Sequence, residues 1–370
     1  MIGNTVLGII YSNSYDSSVG ELTGQRTMGS VPFAARYRLI DFVLSGMVNC
    51  GIGKVGVITK SNYRSLMDHI GSGRAWDLAR KREGLTILPP YNLQGSGGMY
   101  SGRVDALKSI MDYVSHSKKE YVLLTDCNVV YNPDYEKMIE THIESGADIT
   151  VAYKHGVLPK LPDTMAFALE GDKIKGVTVS PVTEDEVDFS LNMIIMKRVL
   201  LERLINAAIS TGDVSFERDI ILANVDSLDI RGYKVDSFAE VIDSLQKYYD
   251  VSMSLVDDKY RALFDPQRRV FTKVRDDMPA IYGINSDVKN TLVADGCIIK
   301  GKVENCILFR GVRIEEGAVI KNSVIMQDTY ISADAKINCA ILDKGVVVTP
   351  GRELSGAPSY PLYIGKKIIV

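Results

Sequence analysis

VENCILFRGVRIEEGAV (303–319), IKNSVIMQDTYISADAK (320–336) and INCAILDKGVVVTPGRE (337–353) are three consecutive stretches that align without a gap. Val303, Ile320 and Ile337 fall one beneath another. So do Leu308, Ile325 and Leu342, and so do Ile314, Ile331 and Val348, each set 17 apart. One turn of chain that repeats three aliphatic positions is a three-sided parallel β-helix, each hexad forming one flat side. Every aliphatic member then points into the prism, and Gly296, Gly311, Gly317 and Gly345 fall near its corners. A β-sandwich with chance spacing is the plain alternative, but three phases repeating together argue against it.

Upstream of about residue 288 the rhythm is different. Thr5–Tyr11 reads as a buried strand, and Leu39–Cys50 as an amphipathic helix with Gly51 at its stop. Lys54–Thr59 is a second strand, Val104–Val114 a helix and Tyr121–Thr125 a strand. Pro133 opens a helix that ends near Gly146, and Asp148–Tyr153 follows as a strand. This alternation predicts an α/β domain with a Rossmann-like, mixed but mostly parallel sheet. Ligands of such sheets sit beyond the carboxyl ends of the strands, which directs attention to the segments after Ile10, Thr125 and Met196. The division expected is 1–255 for this domain, 256–287 for a connector, and 288–370 for the β-helix and tail.

Composition narrows the class. With 370 residues, 46% of them hydrophobic, the chain is long enough for two cores. A net charge of -3 gives no basic excess for nucleic acid or an anionic membrane. No apolar run reaches the roughly 18 residues of a membrane span, and the amino terminus lacks the pattern of a signal peptide. Cys50, Cys127, Cys297, Cys306 and Cys339 are scattered, as expected of reduced thiols in a cytoplasmic protein. The four histidines, His69, His116, His142 and His155, show no metal-ligand spacing.

Several runs resemble the ADP-glucose pyrophosphorylases. They are Phe33-Ala34-Ala35-Arg36-Tyr37-Arg38-Leu39-Ile40-Asp41-Phe42-Val43-Leu44-Ser45; His69-Ile70-Gly71-Ser72-Gly73-Arg74-Ala75-Trp76-Asp77-Leu78 with Ile87-Leu88-Pro89-Pro90-Tyr91; and Ser215-Phe216-Glu217-Arg218-Asp219-Ile220-Ile221. Tyr100-Ser101-Gly102-Arg103-Val104-Asp105-Ala106 is similar to that family's Gly-Thr-Ala-Asp-Ala nucleotide motif. The resemblance covers nearly the whole chain. It implies a sugar-nucleotide transferase fold, a left-handed β-helix of hexapeptide repeats, and transfer of AMP from ATP to glucose 1-phosphate with Mg²⁺.

The positions that carry that chemistry differ. The family's glycine-rich Gly-Gly-x-Gly-x-Arg loop lets backbone N–H groups approach phosphate. Here it reads Ser12-Asn13-Ser14-Tyr15-Asp16-Ser17-Ser18, with Ser18 at the arginine. Asp16 beside a triphosphate would repel it by about 1–4 kcal/mol at ~4 Å. Met28 stands at the phosphate-binding lysine. Asn128 and Val241 stand at the two metal carboxylates, and Val177-Thr178-Val179-Ser180-Pro181 replaces a sugar-phosphate Glu-Lys-Pro. Mg²⁺ prefers anionic oxygen ligands, which neither Asn nor Val supplies. The resemblance therefore narrows to the non-catalytic GlgD-type subunits.

The expectation is a chain with no catalytic or metal residues of its own. Mg²⁺ and ATP would be used by a catalytic ADP-glucose pyrophosphorylase subunit joined to it in a heterotetramer, or the chain could assemble with itself. Arg26, Arg36 and Arg38 are candidates for an anionic effector such as a sugar phosphate. Arg218 and Asp219 are candidates for a sugar phosphate and its hydroxyls. Lys366 and Lys367 could be effector-linked, Gly71, Gly73 and Asp105 could shape loops, and His69 reads as a hydrogen-bonded loop histidine. Two other readings stay open: an active nucleotidyltransferase using Asp126, Glu240 or Asp243 as displaced ligands, and a stand-alone sugar-phosphate sensor. An acyltransferase is disfavoured because residues 288–350 hold no histidine to act as base.

Overall fold

The computed structural model describes residues 2–90, 100, 102–257 and 263–370. Tyr91 and Ser101 of the family-like runs lie outside the described residues.

The amino-terminal domain is a nine-stranded sheet with helices on both faces. Its strands are β1 Val6–Tyr11, β2 Lys54–Ile58, β3 Gly84–Leu88, β4 Tyr121–Asp126, β5 Ile149–Val157, β6 Met165–Glu170, β7 Lys173–Val179, β8 Glu186–Lys197 and β9 Ile230–Lys234. Their order is β3-β2-β1-β4-β8-β5-β9-β7-β6. From β3 to β4 every pairing is parallel. The far half is mixed: β8 runs antiparallel to both β4 and β5, and β7 to both β9 and β6. The sheet is thus less parallel than its helix–strand rhythm suggests, because β6, β7 and β8 follow one another with no helix between them.

Local chemistry explains the elements. All six residues of β1 are buried, as a central parallel strand requires. Helix α1, Leu39–Asn49, starts where the Arg38 N–H donates to Asp41 Oδ2 at 3.0 Å, and Gly51 follows it with φ 89°. A Cβ on Gly8 would lie 2.6 Å from Met47 Sδ, so the glycine lets α1 lie close on β1. The helix expected over Val104–Val114 is broken at Ile110 into α2, Arg103–Ser109, and Met111–Ser115. The helix after Pro133, α3 Tyr135–Ser145, is capped by Asp134 and ends at Gly146 with φ 66°.

The carboxyl-terminal part is a coil of parallel strands. Ile281–Tyr282, Ile298–Ile299, Arg313–Ile314, Tyr330–Ile331 and Val347–Val348 stack on one face. Val303, Ile320, Ile337 and Leu354 stack on a second, and Leu308, Ile325, Leu342 and Ile364 on a third. The three apolar phases of the sequence therefore sit in register, and their inward members are almost wholly buried. Asn290, Asn305 and Asn322, with φ of 44°, 51° and 46°, bend the long strands between two faces. Their amides form a ladder that continues to Asn338. The first rung, Ile281–Tyr282, lies inside the stretch that the sequence assigns to the connector, so the coil begins before 288.

The two parts share a core. Ile307, Val324 and Ile341 are also 17 apart but point outward, packing with Phe33, Phe42 and Tyr248 of the first domain. Helix α4, Leu245–Met253, lies between them: the Tyr249 hydroxyl donates to the Asn322 carbonyl at 2.6 Å and the Tyr248 hydroxyl to Pro32 at 2.7 Å.

Candidate functional site

The carboxyl ends of β1 and β2 open onto a cleft of about 570 Å³, lined by Asn13–Ser17, Lys60, Arg103, Asp163, Ser215 and Glu217 among others. Its first wall is the loop after β1, which is closed by its own side chains. Asp16 does not face outward as a like charge beside a phosphate. Its Oδ1 accepts the Met28 N–H at 2.7 Å and its Oδ2 the Asn13 amide at 2.6 Å. Burial pushes the Asp16 carboxyl up to about 7 against those two donors. Asn13 Nδ2 also donates to the Ser61 carbonyl, and Asn13 Oδ1 accepts the Lys60 N–H. Tyr15 sits at φ 61° and its hydroxyl accepts from Asn192 at 2.8 Å. Ser18 donates its N–H to the Tyr15 carbonyl at 3.0 Å within the short helical turn that follows. The N–H groups of residues 16, 18 and 28 are thus bonded within the chain.

Arg103, the first residue of α2, lines the cleft with its side chain largely buried. Its guanidinium pairs with Asp126 at the end of β4, contacts Glu217 Oε1 at 3.3 Å, and stacks 4.9 Å from the Tyr11 ring centroid. The Ser14 hydroxyl donates to the other Asp126 oxygen at 2.6 Å. Asp126 and Glu217 hold their guanidinium's proton tightly, so Arg103 lies well above its ordinary value although burial alone would lower it. Burial holds Glu217 above the usual carboxylate range, with Arg103 opposing. Sequence reasoning did not single out Arg103. The clue was an arginine where the Gly-Thr-Ala-Asp-Ala motif has a small side chain.

Asn128 and Val241, the positions expected to correspond to metal carboxylates, do come together. Val129–Tyr131 and Ala239–Val241 form an antiparallel ribbon, and the Ile242 N–H donates to the Asn128 carbonyl at 2.7 Å. Asn128 is 1% exposed with Oδ1 unpartnered, and Val241 is buried. Two carboxylates would meet there in an enzyme using Mg²⁺; an amide and an isopropyl group stand instead. Met28 packs in the core that joins the domains. The nearby acids do not compensate. Glu240 is clamped by Lys154 at 3.0 Å and Lys247 at 2.6 Å, and Asp243 accepts the Lys160 N–H and the Ser244 hydroxyl. The two lysines hold the Glu240 carboxyl below its ordinary range, overcoming burial. The residues present therefore do not fit a Mg²⁺ site. Among the described residues no group of three or more His, Cys, Asp or Glu side chains is gathered for a metal.

The expected cation trio separates. Arg26 does not face a ligand: its Nη2 lies 2.7 Å from both oxygens of Asp343 in the coil, with both side chains 2% exposed. Arg36 is exposed and lies over the Tyr37 ring. Arg38 is half-buried, donates to the Ser65 carbonyl at 2.6 Å and its hydroxyl at 3.0 Å, and is held down to about 10 by burial. Lys344, from the coil, is pushed down to about 6 by burial and by Arg38 and Arg26, and Lys366 is lowered mainly by burial. Sequence reasoning passed over Lys344. Lys367 is exposed at φ 60°.

Arg218 is exposed and reaches Asp163 at 3.5 Å across the cleft rim. Asp219 turns back to accept the N–H groups of Val214 and Ser215. His69 is hydrogen-bonded as expected but lies in the last turn of the helix Arg64–Ile70, not in a loop; it bonds Asp41 Oδ1 through Nε2 at 2.6 Å, edge-on to Trp76. Burial lowers its basicity. Gly71 and Gly73 take φ of 49° and 78°.

This sheet, its cleft and the appended hexapeptide coil define a nucleotidyltransferase-type protein. Residues 19–159 match the nucleotidyl transferase family, and residues 280–357 match the GlmU-like C-terminal hexapeptide family. The chain belongs to the GlgD family. It is 35% identical to the glycogen biosynthesis protein GlgD of Bacillus subtilis, over 100% of this chain and 98% of that protein. It is 37% identical to the GlgD of Geobacillus stearothermophilus, over 86% and 84%. A glucose-1-phosphate adenylyltransferase of Fervidobacterium nodosum is 30% identical, over 94% of this chain and 84% of that enzyme. No helix among the described residues is long and apolar enough to cross a membrane.

Proposed function

We propose that this chain is a non-catalytic subunit of glycogen synthesis that acts in the cytoplasm by pairing with a catalytic glucose-1-phosphate adenylyltransferase subunit. The observation that carries the reading is Arg103, which lines the cleft and takes up Asp126 and Glu217. Nucleotidyl transfer needs carboxylates for Mg²⁺ and a cation for the leaving pyrophosphate. Asn128, Val241 and Met28 supply neither. In this reading Mg²⁺ and ATP belong to the partner subunit, the two assemble as a heterotetramer, and the coil is a left-handed β-helix. Differential contacts with the partner's active and inactive states would let the chain alter its rate. The displaced-ligand alternative is weakened because Asp126, Glu240 and Asp243 each already hold a partner.

An anionic effector such as a sugar phosphate would best meet Arg38, Lys344 and Lys366; burial, then the neighbouring Arg38, Arg26 and Lys366, depress the basicity of Lys344. Arg26 would hold that seat in place through Asp343 rather than touch the ligand.

The test is ADP-glucose formation from ATP and glucose 1-phosphate with Mg²⁺, using this chain alone, a catalytic subunit from the same cell alone, and both together. No turnover alone, with a changed rate or effector response in the mixture and a mixed assembly on sizing, is the expected result. Turnover by this chain alone would overturn the reading.

A further inference from the structure

Asp126 and Glu217 are two carboxylates with side chains 0% and 5% exposed that share one neighbour. Buried like charges need a counter-ion or a proton. Transferases that handle nucleoside triphosphates meet that need at such clefts with a divalent ion. We propose that Arg103 is a resident cation, its guanidinium taking the place of a divalent ion between Asp126 and Glu217 and holding β1, β4 and the Phe216–Ile221 turn together without any ligand. The inference shares the Arg103 contacts with the non-catalytic reading but does not depend on pairing with a partner subunit.

The geometry is built for the role. A guanidinium is planar, permanently charged and able to address two carboxylates at once. Asp126 comes from β4, Glu217 from a single turn of π-helix, and the Tyr11 ring beneath the guanidinium from β1. The start of α2 is fixed as well. Gly102 packs so closely on the Val214 carbonyl that a side chain there would clash, and the Val104 N–H points to the same oxygen at 3.4 Å. Arg103 thus leaves a rigid helix start and reaches its partners with little freedom to swing away. Ser14 satisfies the remaining Asp126 oxygen at 2.6 Å. Arg103 and Glu217 both line the cleft of about 570 Å³, so removing the guanidinium would open Glu217, and the Asp126 carboxylate behind it, to that space.

The experiment uses the full chain and Mn²⁺ as probe, followed by electron paramagnetic resonance. The wild type is expected to take up no Mn²⁺ in the cleft. Arg103→Ala is expected to gain one site, and the further change Asp126→Asn to abolish it. A folded Arg103→Ala chain that binds no Mn²⁺, or whose binding survives Asp126→Asn, overturns the proposal. Arg103→Gln serves in the same way if the alanine variant does not fold. Hydrogen exchange on the wild type gives a readout free of mutation: residues 12–19 and 215–221 should be protected without ligand and unchanged by Mg²⁺–ATP. A gain of protection there on adding Mg²⁺–ATP also overturns it.

Discussion

Arg26 and Asp343, 317 residues apart in sequence, meet with Nη2 2.7 Å from both carboxylate oxygens and with each side chain 2% exposed. One belongs to the nucleotidyltransferase-type domain and the other to the coil. Tyr363 joins them, donating from its hydroxyl to Asp343 Oδ2 at 2.9 Å and reaching the Glu21 carbonyl at 2.6 Å.

Removing one partner strands a buried charge. Arg26→Ala or Asp343→Ala alone should therefore cost roughly 3–5 kcal/mol. The double variant should cost less than the sum, because neither charge is then stranded. Chemical denaturation of the four proteins measures both the losses and the coupling, and additive losses would refute the pair.

Lys344 titrates near 6 in the fold against an ordinary 10.5. The folded value is depressed, so between those values the unfolded chain binds a proton that the folded chain does not. On this group's account, stability is lowest below about 6 and rises with pH toward 10.5. Lys344→Met should raise the melting temperature near neutrality and flatten its rise between mildly acidic and alkaline pH. Inorganic phosphate should stabilise the wild type and lose most of that effect in the variant, if the Arg38–Lys344–Lys366 group seats anions. Thermal melts across pH, with and without phosphate, decide both points.

Asp16 gives the opposite slope. Its folded value of about 7 exceeds the ordinary 3.8, so the folded chain holds the proton longer and this contribution is lost as pH rises through about 7. Protection of the amides in residues 12–19, taken relative to the intrinsic exchange rate at each pH, should fall from mildly acidic to alkaline pH. Asp16→Asn should remove that dependence, and an unchanged profile would show that the loop is held by other bonds.

Reinstating Met28→Lys, Asn128→Asp and Val241→Asp together should leave ADP-glucose formation at background while Arg103 remains. Adding Arg103→Thr should raise the rate by at least about tenfold, equivalent to ~1.4 kcal/mol. Turnover by the triple variant with Arg103 intact would show that the guanidinium does not obstruct the chemistry.

Asn322 tests the coil. Its amide bonds those of Asn305 and Asn338, and its backbone sits at φ 46°. Asn322→Val should cost roughly 2–3 kcal/mol, from lost hydrogen bonds and left-handed strain, and Asn322→Gly less. Denaturant midpoints compare the two, and equal losses would place the whole effect in the hydrogen bonds.

The coil was legible because its periodicity is local. Val303, Ile320 and Ile337 need only neighbouring turns to bury them, so spacing alone implies the prism. The edge-most rung escaped because Ile281 and Tyr282 are 50% and 52% exposed and carry no inward phase to count. The far half of the sheet escaped for another reason: strand direction depends on which neighbour β8 chooses, and that choice is tertiary.

The candidate site divides the same way. Ser18, Met28, Asn128 and Val241 were readable because a missing lysine or carboxylate is a property of the residue itself. Arg26 looked like part of a cation trio until the fold brought Asp343 to it. Arg103, one substitution within a motif, gained its partners only where β1, β4 and the Phe216–Ile221 turn converge. The sequence by itself determined what chemistry the side chains could offer and how the coil would repeat. Only the tertiary structure decided which charges met, because ion pairing falls off within a few ångströms and those few ångströms are set by packing between segments remote in the chain.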